Sequence, residues 1–133
     1  METPRTRAHE AGKAAEQLAA ERLVAAGWTI LGRRIRAGRA ELDPVAIDHG
    51  PPRALVIVEV RWRSRRDFGL PEETLDWRKL RHLRRGLGRL LADGRLANGS
   101  LVPDAAPRID LVVVEPPSTP GGGPRVRHHR GLG

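Results

Sequence analysis

Apolar residues recur along this chain with two different periods, and the changes of period divide it into elements. Over residues 9–26 the apolar positions Ala11, Ala15, Leu18, Ala19, Leu23 and Ala26, with Arg22 among them, fall at helical spacing. Gly27 then supplies the glycine on which helices commonly stop. Glu16 lies on the border of this stripe, beside Gly12, Ala19 and Leu23, rather than on the polar back. Residues 28–36 (WTILGRRIR) read as a first strand ending in basic residues, and residues 1–8 carry no pattern and read as a flexible leader.

The next stretch, residues 40–63, reads as a β-hairpin with arms AELDPVAID and ALVIVEVRWR joined by HGPPR. Side chains alternate faces along a strand. Glu41, Asp43, Val45 and Ile47 therefore share one face of the first arm, and Leu55, Ile57, Glu59 and Arg61 share one face of the second. A single register sets Ile47 opposite Leu55, Val45 opposite Ile57, Asp43 opposite Glu59 and Glu41 opposite Arg61. A one-residue slip would reverse the faces of one arm. Directly opposed side chains lie roughly 4.5–5.5 Å apart at Cβ, where like charges destabilise a sheet. The two facing carboxylates thus call for a cation. Pro44 removes a ladder donor, so a local irregularity is expected there.

Gly69 and Pro71 punctuate a loop over residues 64–73. A second helix is predicted from an Asp76 N-cap to Ala92, closed by Asp93 and Gly94, with an apolar stripe of Leu80, Leu83, Leu87, Leu90 and Leu91. Gly86 and Gly88 inside it each cost about 1 kcal/mol relative to Ala. A loop leads to a strongly β-forming run, residues 108–115 (RIDLVVVE). The Pro/Gly-rich basic remainder, residues 116–133, lacks a hydrophobic pattern and is expected to be disordered. Helix, three strands, helix, strand gives an α/β sandwich around a mixed sheet flanked by helices. The globular domain then occupies residues 9–115.

Composition narrows the function. One domain of 133 residues without cysteine has neither a disulfide framework nor a cysteine zinc site. No long apolar run occurs and the first residues lack a signal-peptide core, so a cytoplasmic, non-membrane protein is expected. Lys and Arg total 24 against 16 acids, a net charge of +8. That balance favours polyanionic partners, nucleic acid first, although two lysines among 24 cations also fit a composition that writes Arg freely. Three Trp, one Phe and no Tyr leave little for a base-stacking platform. The cations Arg34, Arg36 and Arg63, with Lys79, Arg81 and Arg85 on the second helix, are the candidate phosphate contacts. A solvated surface helix is the competing reading of the last three.

Asp43 and Glu59, with Glu16 arriving from the first helix, form an oxygen-only set suited to Mg²⁺ or Mn²⁺. In phosphodiester hydrolysis such an ion polarises the phosphoryl oxygen and activates water, and a neighbouring cation such as Arg61 stabilises charge on phosphorus. The competing reading pairs Glu41 with Arg61 and leaves the other acids solvated at a sheet end. No G-x-S-x-G elbow or phosphate-cradling glycine loop is present. His128 and His129, in the tail, read as a solvated pair.

The collinear set GKAAE at 12–16, GWTIL at 27–31, AELDPVA at 40–46, VEVRWR at 58–63, FG at 68–69, Lys79 and RIDLVV at 108–113 resembles the YraN-like family of small bacterial proteins. That family is placed by similarity among the PD-(D/E)xK, restriction-endonuclease-like proteins, near the archaeal Holliday-junction resolvases. The resemblance implies an αβββαβ core, Asp43 and Glu59 as metal ligands, Glu16 as a helix-borne acid, and Arg61 at the position of the signature lysine. It implies a nuclease-like protein that binds nucleic acid, DNA foremost, with metal-dependent endonuclease activity as one outcome. A homodimer, as in resolvases, is compatible with it. Ala40 and Pro44 depart from the family's usual G-E-[IL]-D-L, and Arg61 departs from E-x-K. Arginine keeps the charge but is essentially never deprotonated. The alternatives are therefore a catalytically degenerate DNA- or RNA-binding protein and a structural, partner-binding one.

Overall fold

The computed structural model describes residues 3–63, 76–96 and 98–132. α1 (Pro4–Ala25) leads into β1 (Thr29–Gly32), a short hairpin of β2 (Ile35–Ala37) and β3 (Ala40–Leu42), then β4 (Val45–Asp48) and β5 (Ala54–Trp62). α2 (Trp77–Asp93), β6 (Ala106–Glu115) and β7 (Arg125–His129) complete the chain. Five strands form one sheet in the order β1-β4-β5-β6-β7, and β2 and β3 pair separately. β5 runs antiparallel to β4 and parallel to β6, with α2 as the crossover between the parallel strands. This is the mixed sheet and αβββαβ order of a restriction-endonuclease-like core, with the β2–β3 hairpin inserted and β7 added.

The central strand is apolar on both faces because both faces are covered. On one face Ala46, Val56, Val58, Val112 and Val114 pack with Ala15, Ala19 and Leu23 of α1 and with Trp28. On the other, Val45, Ile47, Leu55, Ile57 and Ile109 meet Leu80, Leu83, Leu87 and Leu90 of α2 and Ala37, Ala40 and Leu42 of the hairpin. Each leucine so buried contributes about 1.5–3 kcal/mol. α2 begins at the Asp76 cap, whose carboxylate accepts from the Arg78 amide, and ends at Gly94 with φ 70°. Leu91, placed on the stripe by its spacing, is 40% exposed. No described helix is long and apolar enough to cross a membrane.

The structure departs from the sequence reading at four places. α1 starts at Pro4, with Thr3 as its cap accepting from the Thr6 amide, so most of the expected leader is helix. The expected strand over residues 28–36 is split by a left-handed turn at Arg34, φ 51°, into β1 and β2. The first arm of the expected hairpin is likewise two strands, β3 and β4, parted at Asp43 and Pro44. The expected loop over 64–73 lies outside the described residues.

The fourth departure is the tail, expected to be disordered, which instead forms β7 against β6. Its cause is charge. Asp110 and Glu115 on β6 are 0% and 1% exposed, and a buried carboxylate must be paired. The tail supplies the partners. Arg125 Nη2 lies 2.9 Å from Glu115 Oε2, and Arg127 pairs with the other oxygen. His128 Nε2 stands 2.8 Å from Asp110 Oδ2, and the Gly131 amide donates to Oδ1 at 2.9 Å. Arg108 bridges Asp110 to Asp48 at 2.9 Å and lies over the Trp28 ring. His128 is therefore a structural partner of a buried acid, not half of a solvated pair.

Candidate active site

The β4–β5 register is the one the alternation predicts, with Val45 opposite Ile57 and Ile47 opposite Leu55. It does not continue to Asp43. The Pro44 carbonyl accepts the Val58 amide at 3.2 Å, but Pro44 has no N–H to return, and the chain leaves the sheet there. β5 runs on to Trp62 with, among the described residues, no strand along that edge. An open cleft of about 670 Å³ occupies the place β4 has vacated. α1 and α2, on opposite faces of the sheet, flank it.

Three elements and one strand break deliver acids into this cleft: Glu16 from α1, Glu41 from β3, Asp43 from the break and Glu59 from β5. His9, Lys13, Arg34 and Lys79 line it as well. Asp43, with a side chain 10% exposed, is ion-paired with Arg33 and lies 3.8 Å from Arg34 Nε. Arg33 also donates to Gln17 Oε1 at 3.4 Å, tying the wall of the cleft to α1. The turn at Arg34 thus leaves two consecutive arginines serving one carboxylate.

Glu59 is held differently. Arg61 Nε stands 3.4 Å from one carboxylate oxygen, and Lys79 Nζ stands 3.8 Å from the other. Burial pushes the Glu59 carboxyl up, Lys79 and then Arg61 pull it down, and the charge of Glu16 pushes it up again. Burial prevails, and the group sits above the ordinary carboxylate value. A carboxyl so placed binds a proton readily and gains from any additional cation.

The structure gathers Glu16, Asp43, Glu59, Arg34 and Lys79 at one cleft and places the other candidates elsewhere. Glu41 lines the cleft but stands opposite Arg36 across the β2–β3 ladder, not opposite Arg61. Arg36 is exposed on β2. Arg61 pairs with Glu59 but is not among the cleft-lining residues. Arg63, half-buried, extends the β5–β6 pairing through its amide to the Val114 carbonyl. Arg81 is exposed on α2, and Arg85 shares with Arg39, His82 and Arg89 a separate groove of about 700 Å³ between α2 and the hairpin. Sequence reasoning passed over Lys13, Arg33 and Arg39. Lys13 had a signal, since it lies three residues before Glu16 on one side of a helix. Arg33 had none, because its approach to Asp43 depends on the turn at Arg34.

Among the described residues no group of three or more His, Asp or Glu is drawn together closely enough to hold a metal ion by itself. A magnesium site needs less. That ion is bound through one or two carboxylates, keeps several waters and takes substrate phosphate oxygens. Asp43 and Glu59, both oxygen donors on one cleft, fit that minimal set, with Glu16 beside them.

The uncharacterised protein family UPF0102 matches this chain over residues 15–114. The chain belongs to that family. This is the YraN-like family whose motifs the sequence carries. A UPF0102 protein of Symbiobacterium thermophilum is 43% identical over 105 residues, covering 79% of this chain and 81% of the relative. One from Frankia casuarinae is 40% identical over 120 residues, covering 90% and 92%. One from Mycobacterium tuberculosis is 36% identical over 123 residues, covering 92% and 91%. The UPF0102 match embraces Glu16, Asp43, Glu59, Arg61 and Lys79, and stops short of Lys13 and of β7.

Proposed function

We propose that this chain is a nuclease-like nucleic-acid-binding protein whose cleft receives a DNA phosphodiester and hydrolyses it with Mg²⁺ or Mn²⁺. The observation that carries the reading is the convergence of Glu16, Asp43 and Glu59, from separate elements, on one cleft walled by cations. Asp43 and Glu59 would hold the ion, which when bound supplies phosphoryl polarisation and a more acidic water. Arg33 and Arg34 lie against Asp43 and fix its position, and Arg61 stands beside Glu59. Glu16 offers an acceptor for a proton of the attacking water. Hydrolysis adds hydroxyl to phosphorus as one P–O bond to sugar breaks, and the leaving oxygen takes up a proton in exchange for the one that Glu16 accepted.

Cleavage of branched and single-stranded DNA in Mg²⁺ or Mn²⁺, wild type beside Asp43→Ala, tests this. Wild-type cleavage that Asp43→Ala abolishes supports it, and cleavage indifferent to that substitution removes Asp43 from the site. A second reading, a nucleic-acid-binding protein without hydrolysis, draws on Arg61. A guanidinium there does not place its charge as an ammonium would, and its Nε already lies 3.4 Å from Glu59. Binding without cleavage in the wild type, with activity appearing in Arg61→Lys, would favour it.

A further inference from the structure

Of the 24 Lys and Arg residues in this chain only two are lysines, Lys13 and Lys79, and both line the cleft. They reach it from α1 and α2, on opposite faces of the sheet. Among the described residues lining the cleft the Lys and Arg residues are Lys13, Arg34 and Lys79. A chain that writes arginine at every other cationic position has its ammonium groups in this one place.

The chemistry of the two side chains gives that placement a reason. Of the arginines near the cleft, Arg33 hydrogen-bonds Asp43, Arg34 stands 3.8 Å from the same acid, and Arg61, 3.4 Å from Glu59, does not line the cleft. A planar guanidinium hydrogen-bonded as Arg33 is acts as a fixed structural charge. Lys13 is exposed and makes no ion pair with a described residue. Lys79 is half-buried, and its Nζ lies 3.8 Å from Glu59 Oε2, beyond hydrogen-bond distance. It is attracted to the acid without being bonded to it. Its flexible four-carbon stem and three rotatable donors can turn to a phosphate oxygen without breaking a fork of hydrogen bonds.

Building on the nuclease-like reading, we propose that Lys79, not Arg61, is the catalytic cation that meets the substrate phosphate, and that Lys13 holds a substrate phosphate from the opposite wall. Lys79 stabilises the negative charge that gathers on the non-bridging oxygens as water adds to phosphorus and the bond to the sugar oxygen breaks. Arg61 stays on Glu59 throughout.

Two lysines in one chain make a direct test available. In protein labelled with ¹⁵N-lysine, the side-chain signals are assigned with Lys13→Arg and followed while a single-stranded DNA oligonucleotide is added in EDTA, without metal. Both signals should shift. Cleavage is then measured in Mg²⁺ for wild type, Asp43→Ala, Lys79→Ala, Lys79→Arg, Arg61→Ala and Arg61→Lys. Lys79→Ala should lower kcat by about 10²-fold or more, and Lys79→Arg should not restore it. The proposal is overturned if the oligonucleotide binds with neither lysine signal moving, or if Lys79→Ala cuts at the wild-type rate. It is equally overturned if Arg61→Lys gains about tenfold or more, or if a chain that binds and shifts both signals cuts nothing. A chain that cuts in an Asp43-dependent way and ignores Lys79 removes this inference and leaves the nuclease-like reading standing. A chain that neither binds nor cuts removes both.

Discussion

Glu59 is a half-buried acid and Asp110 a buried one, and their surroundings move them in opposite directions. For Glu59 burial outweighs Lys79 and Arg61, so its folded value exceeds the ordinary 4.5. The stability linked to its proton is full below that value and is lost as pH rises through the folded one. Glu59→Gln should therefore raise Tm at pH 7 and lose that advantage near pH 4, while abolishing any cleavage. Thermal melts from pH 4 to pH 8 check it, and a lower Tm at pH 7 would refute the assignment. For Asp110 burial also pushes up, but hydrogen bonds from His128, Arg108 and the Gly131 amide prevail and hold it below 3.8. Its contribution is present above 3.8 and is lost as pH falls through the depressed value. Asp110→Ala, which strips Arg108 and His128 of their shared acid, should cost about 3–5 kcal/mol in urea unfolding at pH 7. Glu59 was legible in the sequence because alternation fixed its face and a carboxylate there needed a partner. Asp110 was not singled out, since two of its three partners lie 18 and 21 residues further on, in a tail without a hydrophobic pattern.

The same contrast holds for whole elements, where local chemistry was readable and contacts between elements were not. Asp76 and Gly94 bound α2 as their residue types imply, and the β4–β5 register follows from two alternating runs. The break at Pro44 was foreseeable as an irregularity, but its consequence, an open edge of β5 with a cleft beside it, depends on where β3 goes next. β3 turns away to pair with β2 and packs under α2, with Ala40 and Leu42 beside Gly86. That contact separates two glycines that the sequence treats alike. A Cβ on Gly86 would stand 2.8 Å from Ala40 Cβ, whereas one on Gly88 would meet nothing within 4 Å. Gly88→Ala should stabilise the protein by up to about 1 kcal/mol through helix propensity. Gly86→Ala should destabilise it by about 1–3 kcal/mol, because the hairpin must be pushed away from α2. Paired urea titrations give both signs, and equal shifts would mean that α2 and β3 do not approach this closely.

At the scale of the molecule a net charge of +8 overstates what a polyanion can reach, because many of these cations already serve buried or half-buried acids. Arg125 and Arg127 are spent on Glu115, Arg108 on Asp48 and Asp110, Arg33 on Asp43 and Arg61 on Glu59. Arg81 and Arg85 are exposed on α2, and no ion pair joins them to a described residue. Counterion release counts only cations that meet phosphate, at about 0.9 of a logarithmic salt unit per contact on duplex DNA. If α2 lies along the DNA backbone, Arg81→Ala and Arg85→Ala should each reduce the slope of log affinity against log salt by about one, with melting unchanged. Arg125→Ala and Arg127→Ala should show the reverse. They leave the buried Glu115 carboxylate short of a partner, so unfolding comes earlier while the slope keeps its wild-type value. Fluorescence anisotropy on duplex DNA between 50 and 200 mM salt, alongside thermal melts, separates the two kinds of arginine. A tail substitution that lowers the slope without loss of stability would mean that β7 faces the nucleic acid. Slopes unmoved by all four would place the phosphate contacts elsewhere, with Lys13, Arg34 and Lys79 in the cleft the next to be tested.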